Sequence, residues 1–158
     1  MVIYRGEKKH IPGMLALLKQ VGGVHRGIRP DIFRAGAQKY DAGELEAILA
    51  DPSLPVFVAA EGDFVAGYCF CQLKEYRDSS VMTDRRELYI DDLCVDENRR
   101  GQKIASRLYE FVLDYAREQG CRFVTLNVWS GNDGAMAFYE RMGLRPRSIT
   151  MERDLEEN

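Results

Sequence analysis

One stretch, Leu88 to Ser106 (LYIDDLCVDENRRGQKIAS), constrains the fold more than any other. It reads as a strand from Leu88 to Val95, a short acidic turn at Asp96, Glu97 and Asn98, and the start of a long helix. Ile104, Leu108, Phe111, Val112 and Tyr115 recur on one helical face, and Gly120 ends the run. A helix N-terminus carries partial positive charge and favours acidic residues, yet Arg99, Arg100, Lys103 and Arg107 gather here. That charge opposes the helix dipole unless an anion sits among it. Gly101, without a side chain, lets a ligand approach the free N–H groups of the first turn. Strand, tight turn, glycine and basic helix start describe a phosphate cradle, with a solvated basic helix end as the plain rival. The spacing matches neither a Walker loop nor a dinucleotide fingerprint.

Around this centre the chain reads as alternating elements. Val2–Tyr4 is a short strand, and His10–Leu18 a helix with Ile11, Met14, Leu15 and Leu18 inward. The glycine-rich segment from Val21 to Ala37, with Pro30, reads as a loop or broken helix. Asp41–Ala50 is a helix, Val56–Ala60 a strand, and Gly62-Asp63 a hairpin turn into the strand Phe64–Leu73. After a polar turn at Tyr76–Thr83 comes the strand Arg85–Val95. Arg122–Trp129 is a further strand, Asn132–Met142 a short helix, and Arg147–Arg153 a last strand. The order predicts a single α/β domain over residues 1–158, with one mixed sheet and the central helix as a crossover.

Composition narrows the function. A net charge of −3 argues against a general nucleic-acid binder, whose basic face would show in the total. No apolar run approaches the ~20 residues of a membrane span. The N-terminus lacks a signal-peptide core, so a cytoplasmic location is expected. Cys69, Cys71, Cys94 and Cys121 fall in apolar strand patterns and read as reduced packing residues. With only two histidines to help them, no metal site is expected.

Two segments carry a resemblance. Arg100-Gly101-Gln102-Lys103-Ile104-Ala105 resembles the acyl-CoA-binding motif [Q/R]-x-x-G-x-[G/A] of the GNAT superfamily, the Gcn5-related N-acetyltransferases. Asn132 to Leu144 (NDGAMAFYERMGL) resembles that family's N-x-x-A-x-x-F-Y-E-x-x-G-F segment, in the family's order and with a strand between. The sequence departs from the first motif at Lys103, where the family has glycine. A side chain there must point away from the diphosphate path or reach round to meet it.

The resemblance implies a GNAT-like mixed sheet of six to seven strands flanked by helices, with a splayed strand pair that holds acyl-CoA. Residues 1–84 would form the acceptor side and 85–158 the acetyl-CoA side. Amides from Gln102 to Ser106, with Arg100 and Gly101 before them, would hold the diphosphate. Backbone groups of Leu93, Cys94 and Val95 would pair with the pantetheine arm and polarise the acetyl carbonyl, and Asn132 would bind the pantetheine. Tyr139 would supply the proton to the departing thiolate, with core packing as the rival role for one of Phe138 and Tyr139.

YIDDLCV is also similar to a Y-L-E-D-I-Y-V stretch of diamine acetyltransferases, whose glutamate acts on the amine through water. This maps the base to Asp91, with Asp92 and Glu87 as alternatives. Asp91 and Asp92 face opposite sides of a regular strand unless a bulge intervenes. Acceptor contacts are expected from His25, Arg29 and Phe33, from Asp91, and near Trp129. The implied activity is acetyl-CoA-dependent N-acetylation of a primary amine, of a small molecule by preference or else of a protein. A non-catalytic acyl-CoA-binding module is the rival from another class. The strand Arg147–Arg153 could pair across a homodimer.

Overall fold

The computed structural model describes residues 1–157 and resolves into two compact units, Met1–Asn127 and Val128–Asn158. The first unit is built on a five-stranded sheet in the order β1-β2-β3-β4-β5. Its strands are β1 (Val2–Arg5), β2 (Val56–Glu61), β3 (Phe64–Tyr76), β4 (Arg85–Val95) and β5 (Phe123–Leu126). The first three pairings are antiparallel, and β4 with β5 is parallel. A parallel pair needs a crossover, supplied by α3 (Ile104–Glu118). The remaining helices of this unit are α1 (Ile11–Ile28) and α2 (Ala42–Ala50).

Strand alternation sorts the core. Val56, Val58, Tyr68 and Phe70 pack with Met14, Leu17 and Leu18 of α1 and Leu45 of α2. On the other face Phe57 meets Phe111 and Tyr115 of α3 edge-on, with ring centroids 5.1 and 5.0 Å away. Because helices cover both faces, β2 and β3 read as continuous apolar runs rather than alternating ones. Leu17 and Leu18 are essentially inaccessible to solvent; truncating either to alanine would cost about 2–5 kcal/mol.

The largest departure from the sequence-based expectation is α1. The helix continues through the glycine-rich stretch to Ile28, where a loop or broken helix was expected from Val21 onward. Its glycines serve close approach rather than termination. A Cβ on Gly13 would lie 2.7 Å from the Val65 side chain, and one on Gly22 would lie 2.6 Å from the Ala37 carbonyl oxygen. The stop is Pro30, which pushes Arg29 out of the helical region. Arg26 then ties the turn, its Nη1 donating to the carbonyls of Pro30 (2.6 Å) and Phe33 (2.8 Å).

The second feature that positions the site is in β4. Phe70 pairs with Asp92 and Cys71 with Ile90, so Asp91 is an extra residue bulged out of the ladder with β3. On its other side β4 pairs with β5 only from Glu87 to Ile90, opposite Phe123 to Leu126. Among the described residues no strand pairs with that edge of β4 from Asp91 to Val95.

The second unit holds α4 (Asp133–Arg141). The expected strand at Arg147–Arg153 does not form, so the sheet has five strands rather than six or seven. A strand exists only against a partner, and here Ile149 and Met151 stand 82% and 89% exposed.

Candidate active site

The segment expected to form the cradle folds as a turn followed by a helix start. β4 leads through a 3-10 turn at Glu97–Arg99 into α3. Gly101 and Lys103 both adopt left-handed backbone, with φ of 80° and 59°. Such positive-φ residues alternating with ordinary ones turn successive N–H groups inward into an anion-binding nest. Lys103 is the N-cap of α3 and gives no side-chain cap. The first helical bond runs from Arg107 N–H to the Lys103 carbonyl, 3.1 Å, so the N–H groups of Ile104, Ala105 and Ser106 have no helical acceptor. A Cβ on Gly101 would meet nothing within 4 Å, so the approach is open.

Charge reinforces the geometry. Several arginines of the first unit are neutralised, among them Arg29 by Asp31, Arg85 by Glu87, Arg86 by Glu75 and Arg99 by Glu61. Among the described residues, Arg100, Lys103 and Arg107 form no ion pair. Uncompensated cations at the positive end of a helix dipole leave a favourable place for phosphate.

Two carboxylates stand where β4 leaves β5. The bulge resolves the question of facing: both reach partners in or packed on the apolar layer beneath α1 and α2. Tyr68 Oη donates to Asp92 Oδ2 at 2.7 Å, and Tyr40 Oη donates to Asp91 Oδ2 at 2.7 Å. Both tyrosine rings rest on Phe70, with centroids 4.6 and 5.7 Å away. Lys39 Nζ lies 3.0 Å from Asp91 Oδ1. Burial pushes the Asp92 carboxyl above its usual range, opposed by the Tyr68 hydrogen bond and by the charges of Lys39 and His25. Both tyrosine hydroxyls are raised, chiefly by desolvation and by these same carboxylates.

A cleft of about 300 Å³ opens beside Asp91, lined by Tyr40, Glu44, Ile48, Leu54, Phe70 and neighbours. Its walls are mostly apolar and its charges are acidic. A second cleft of about 310 Å³ lies at the far end of the β3–β4 hairpin among Glu75, Arg77, Asp84, Arg85 and Arg86. In that one Glu75 is shared between Arg77 and Arg86 as a network of ion pairs.

The remaining expected residues divide. His25 stacks on Phe33, with centroids 5.1 Å apart, near enough to Asp92 to act on its charge. Arg29 forks onto Asp31 through Nε (2.9 Å) and Nη2 (2.8 Å), which occupies the charge expected to contact the acceptor. Glu87 is buried against Arg85 within the paired part of β4, so it does not reach the opening. Cys94 turns toward the Leu17 carbonyl, 3.7 Å away, and burial with the nearby Asp92 charge lifts its thiol to about 12. That disfavours it as a nucleophile. Leu93 and Val95 alternate with Cys94 on the open edge of β4.

In the second unit, Asn132 caps α4, its Oδ1 accepting from Ala135 N–H at 3.3 Å. Its own N–H meets the Trp129 carbonyl at 3.1 Å. Tyr139 packs edge-on against Phe138, 5.1 Å between centroids.

Lys39, Tyr40 and Tyr68 were not anticipated. Tyr40 had a legible signal: Tyr-Asp-x-x-Glu-Leu is a capping box, with Asp41 and Glu44 exchanging hydrogen bonds, and Tyr40 and Leu45 stand at the staple positions flanking it. That motif fixes Tyr40 beside the sheet, and Lys39 with it.

A mixed sheet whose parallel pair parts beyond Ile90, beside the basic start of α3, is an acetyltransferase-type fold. The acetyltransferase (GNAT) family model matches residues 26–144, well over half of the chain, and the protein belongs to that family. It is similar to N-alpha-acetyltransferase 30 of Schizosaccharomyces pombe, 32% identical over 87 residues, 55% of each chain. It is also similar to glucosamine 6-phosphate N-acetyltransferase of Arabidopsis thaliana, 32% identical over 79 residues, 46% of this chain and 51% of that one. The match thus spans about half the length of these curated relatives. A mutant of the BH1408 protein from Bacillus halodurans superposes with a TM-score of 0.93 at 30% identity, covering 98% of this chain and 99% of that one.

Proposed function

We propose that this protein is an acetyl-CoA-dependent N-acetyltransferase acting on a primary amine of a small molecule. The observation that carries the reading is the end of the β4–β5 ladder at Ile90 and Leu126. It leaves a free strand edge with an anion nest at one end and two carboxylates at the other. The nest, the open space at Gly101 and the unpaired Arg100, Lys103 and Arg107 fit the phosphates of coenzyme A. The free edge from Leu93 to Val95 fits an amide-bearing arm laid alongside as an added strand.

The co-substrate supplies an activated acetyl thioester. For the protein's part, a backbone N–H in the Leu93–Val95 stretch would donate to the acyl oxygen. Asp91 faces the cleft and would receive the acceptor's ammonium. Asp92, raised by burial, is the better proton store, and two adjacent carboxylates share that proton as a pair. By its place in Phe138-Tyr139-Glu140, Tyr139 would be the proton donor to the thiolate.

A cleft of about 300 Å³ with apolar walls and acidic charges favours a small cationic amine with an apolar body over a protein chain. The segment Arg147–Arg153 would pair across a homodimer, burying Ile149 and Met151. The test is free-thiol release from acetyl-CoA over a panel of amines, with calorimetry for binding. Turnover confined to small amines supports the reading. Binding without turnover favours a binding module, and turnover only with peptides moves the acceptor to protein.

A further inference from the structure

The carboxylate that would receive an acceptor is already engaged by an amine. Lys39 Nζ sits 3.0 Å from Asp91 Oδ1, while Tyr40, the next residue, holds Oδ2. The Asp91 side chain is 12% exposed and that of Lys39 is 45% exposed. The tyrosine is fixed by its ring on Phe70 and by the capping box that follows it. Lys39 therefore extends a long side chain with a primary ammonium from an anchored piece of backbone. Other lysines have different surroundings: Lys8 pairs loosely with Glu46 at the surface, 3.9 Å, and Lys74 lies over the Tyr89 ring. Asp91 is also the residue next to the point where β4 parts from β5, where the thioester would lie.

We infer that Lys39 is this protein's own acceptor and is acetylated by the site it occupies. The inference rests on the acetyltransferase reading above. The ammonium of Lys39 gives a proton to Asp91, the neutral Nζ forms a bond to the acetyl carbon, and the carbon–sulfur bond breaks. The second proton lost by the new amide nitrogen passes through water to the thiolate, which leaves as free coenzyme A; Asp91 returns its proton to solvent, and no electrons are exchanged with a further reagent. The product amide carries no charge and no longer pairs with Asp91. Asp91 Oδ1 is then released for an incoming amine, and one modification converts an occupied acceptor seat into an open one.

The experiment uses the whole chain with acetyl-CoA and no added amine, at two protein concentrations. Intact mass and peptide mapping follow each lysine. The Gly101→Glu chain, with a carboxylate in the nest, reports background chemical acetylation. The expected result is one acetyl group on Lys39, at a rate independent of protein concentration and on the order of tenfold or more above any other lysine, as intramolecular reactions allow. Asp91→Asn should bring Lys39 down to background, and Lys39→Arg should keep the ion pair and stay unmodified. Modification of Lys39 no faster than of other lysines, or equally in the Gly101→Glu chain, overturns the inference. So does turnover of panel amines with Lys39 unmodified, which makes Lys39 a plug displaced by substrate and leaves the acetyltransferase reading standing. Absence of cofactor binding together with absence of modification overturns both.

Discussion

Asp92 shows how one residue's surroundings decide its chemistry. Its carboxyl is raised by burial, so the ionised form opposes folding at neutral pH. The stability linked to this group is complete below the unfolded carboxyl value of about 3.9, and it is lost as pH rises through the folded value. Asp92→Asn keeps an oxygen for the Tyr68 hydroxyl and removes the charge. Urea midpoints should therefore rise at pH 7 relative to the unsubstituted protein, and the gain should vanish near pH 3; the same variant should lose turnover while binding coenzyme A normally. Lys103 is the second case. The family's glycine position adopts φ 59° here, a left-handed conformation that costs a non-glycine residue about 1–2 kcal/mol. Lys103→Gly should relieve that strain, partly offset by the entropy of glycine, and raise the thermal midpoint, whereas Lys103→Ala should not. If both weaken cofactor binding alike in calorimetry, the ammonium contributes; if neither does, the backbone alone forms the nest. The sequence showed the departure from the motif at Lys103, but not its physical meaning, because left-handed backbone is a property of the turn and not of the residue type.

Among the elements, α1 was the least legible. Apolar periodicity fades after Leu18 because few later residues of the helix reach the core, and glycines at Gly22, Gly23 and Gly27 then read as breakers. The structure separates these glycines by what lies opposite them. A Cβ at Gly23 or Gly27 would meet nothing within 4 Å, whereas one at Gly22 would collide with the Ala37 carbonyl. Gly23→Ala and Gly27→Ala should each stabilise the protein by about 0.8–1.0 kcal/mol through helix propensity, read as denaturation midpoints. Gly22→Ala should destabilise it and, by pushing the segment that carries Lys39 and Tyr40, raise the KM for amine with little change in affinity for coenzyme A. The bulge in β4 was left open by the sequence for a related reason: two successive aspartates are compatible with either a regular or a bulged strand, and pairing with β3 decides. Deleting Asp91 should give a regular ladder and a folded protein that still binds coenzyme A but turns over no amine. By contrast, β4, α3 and the turn between them were readable to within a residue or two, since a strand pattern, a helical pattern and a charge anomaly coincide there.

For the whole molecule, the mixed sheet and the parting of β4 from β5 accord with the family resemblance, while the strand count does not. Arg147–Arg153 has the alternation of a strand, but alternation reports a face to be buried and says nothing of whether the same chain provides the cover. If a second chain does, light scattering at micromolar concentration should give twice the monomer mass, and the double variant Ile149→Asp, Met151→Asp should give a single chain. The proposed dimer fails if the unsubstituted protein is monomeric. Cofactor affinity should also fall with added salt, because the cradle's cations work at the surface of a chain with a net charge of −3.

The gap in the ladder beyond Ile90 has one more consequence. In an antiparallel pair alternate N–H groups point toward the neighbour and away from it, so some amides from Asp91 to Val95 bond to β3 while the others face the missing partner. A strand in the interior of the sheet thus carries amides that should trade their hydrogens for deuterium as readily as those of a frayed end. Their slowing, read by mass spectrometry without any coupled assay, would count the molecules whose cleft is filled and time how long each stays so.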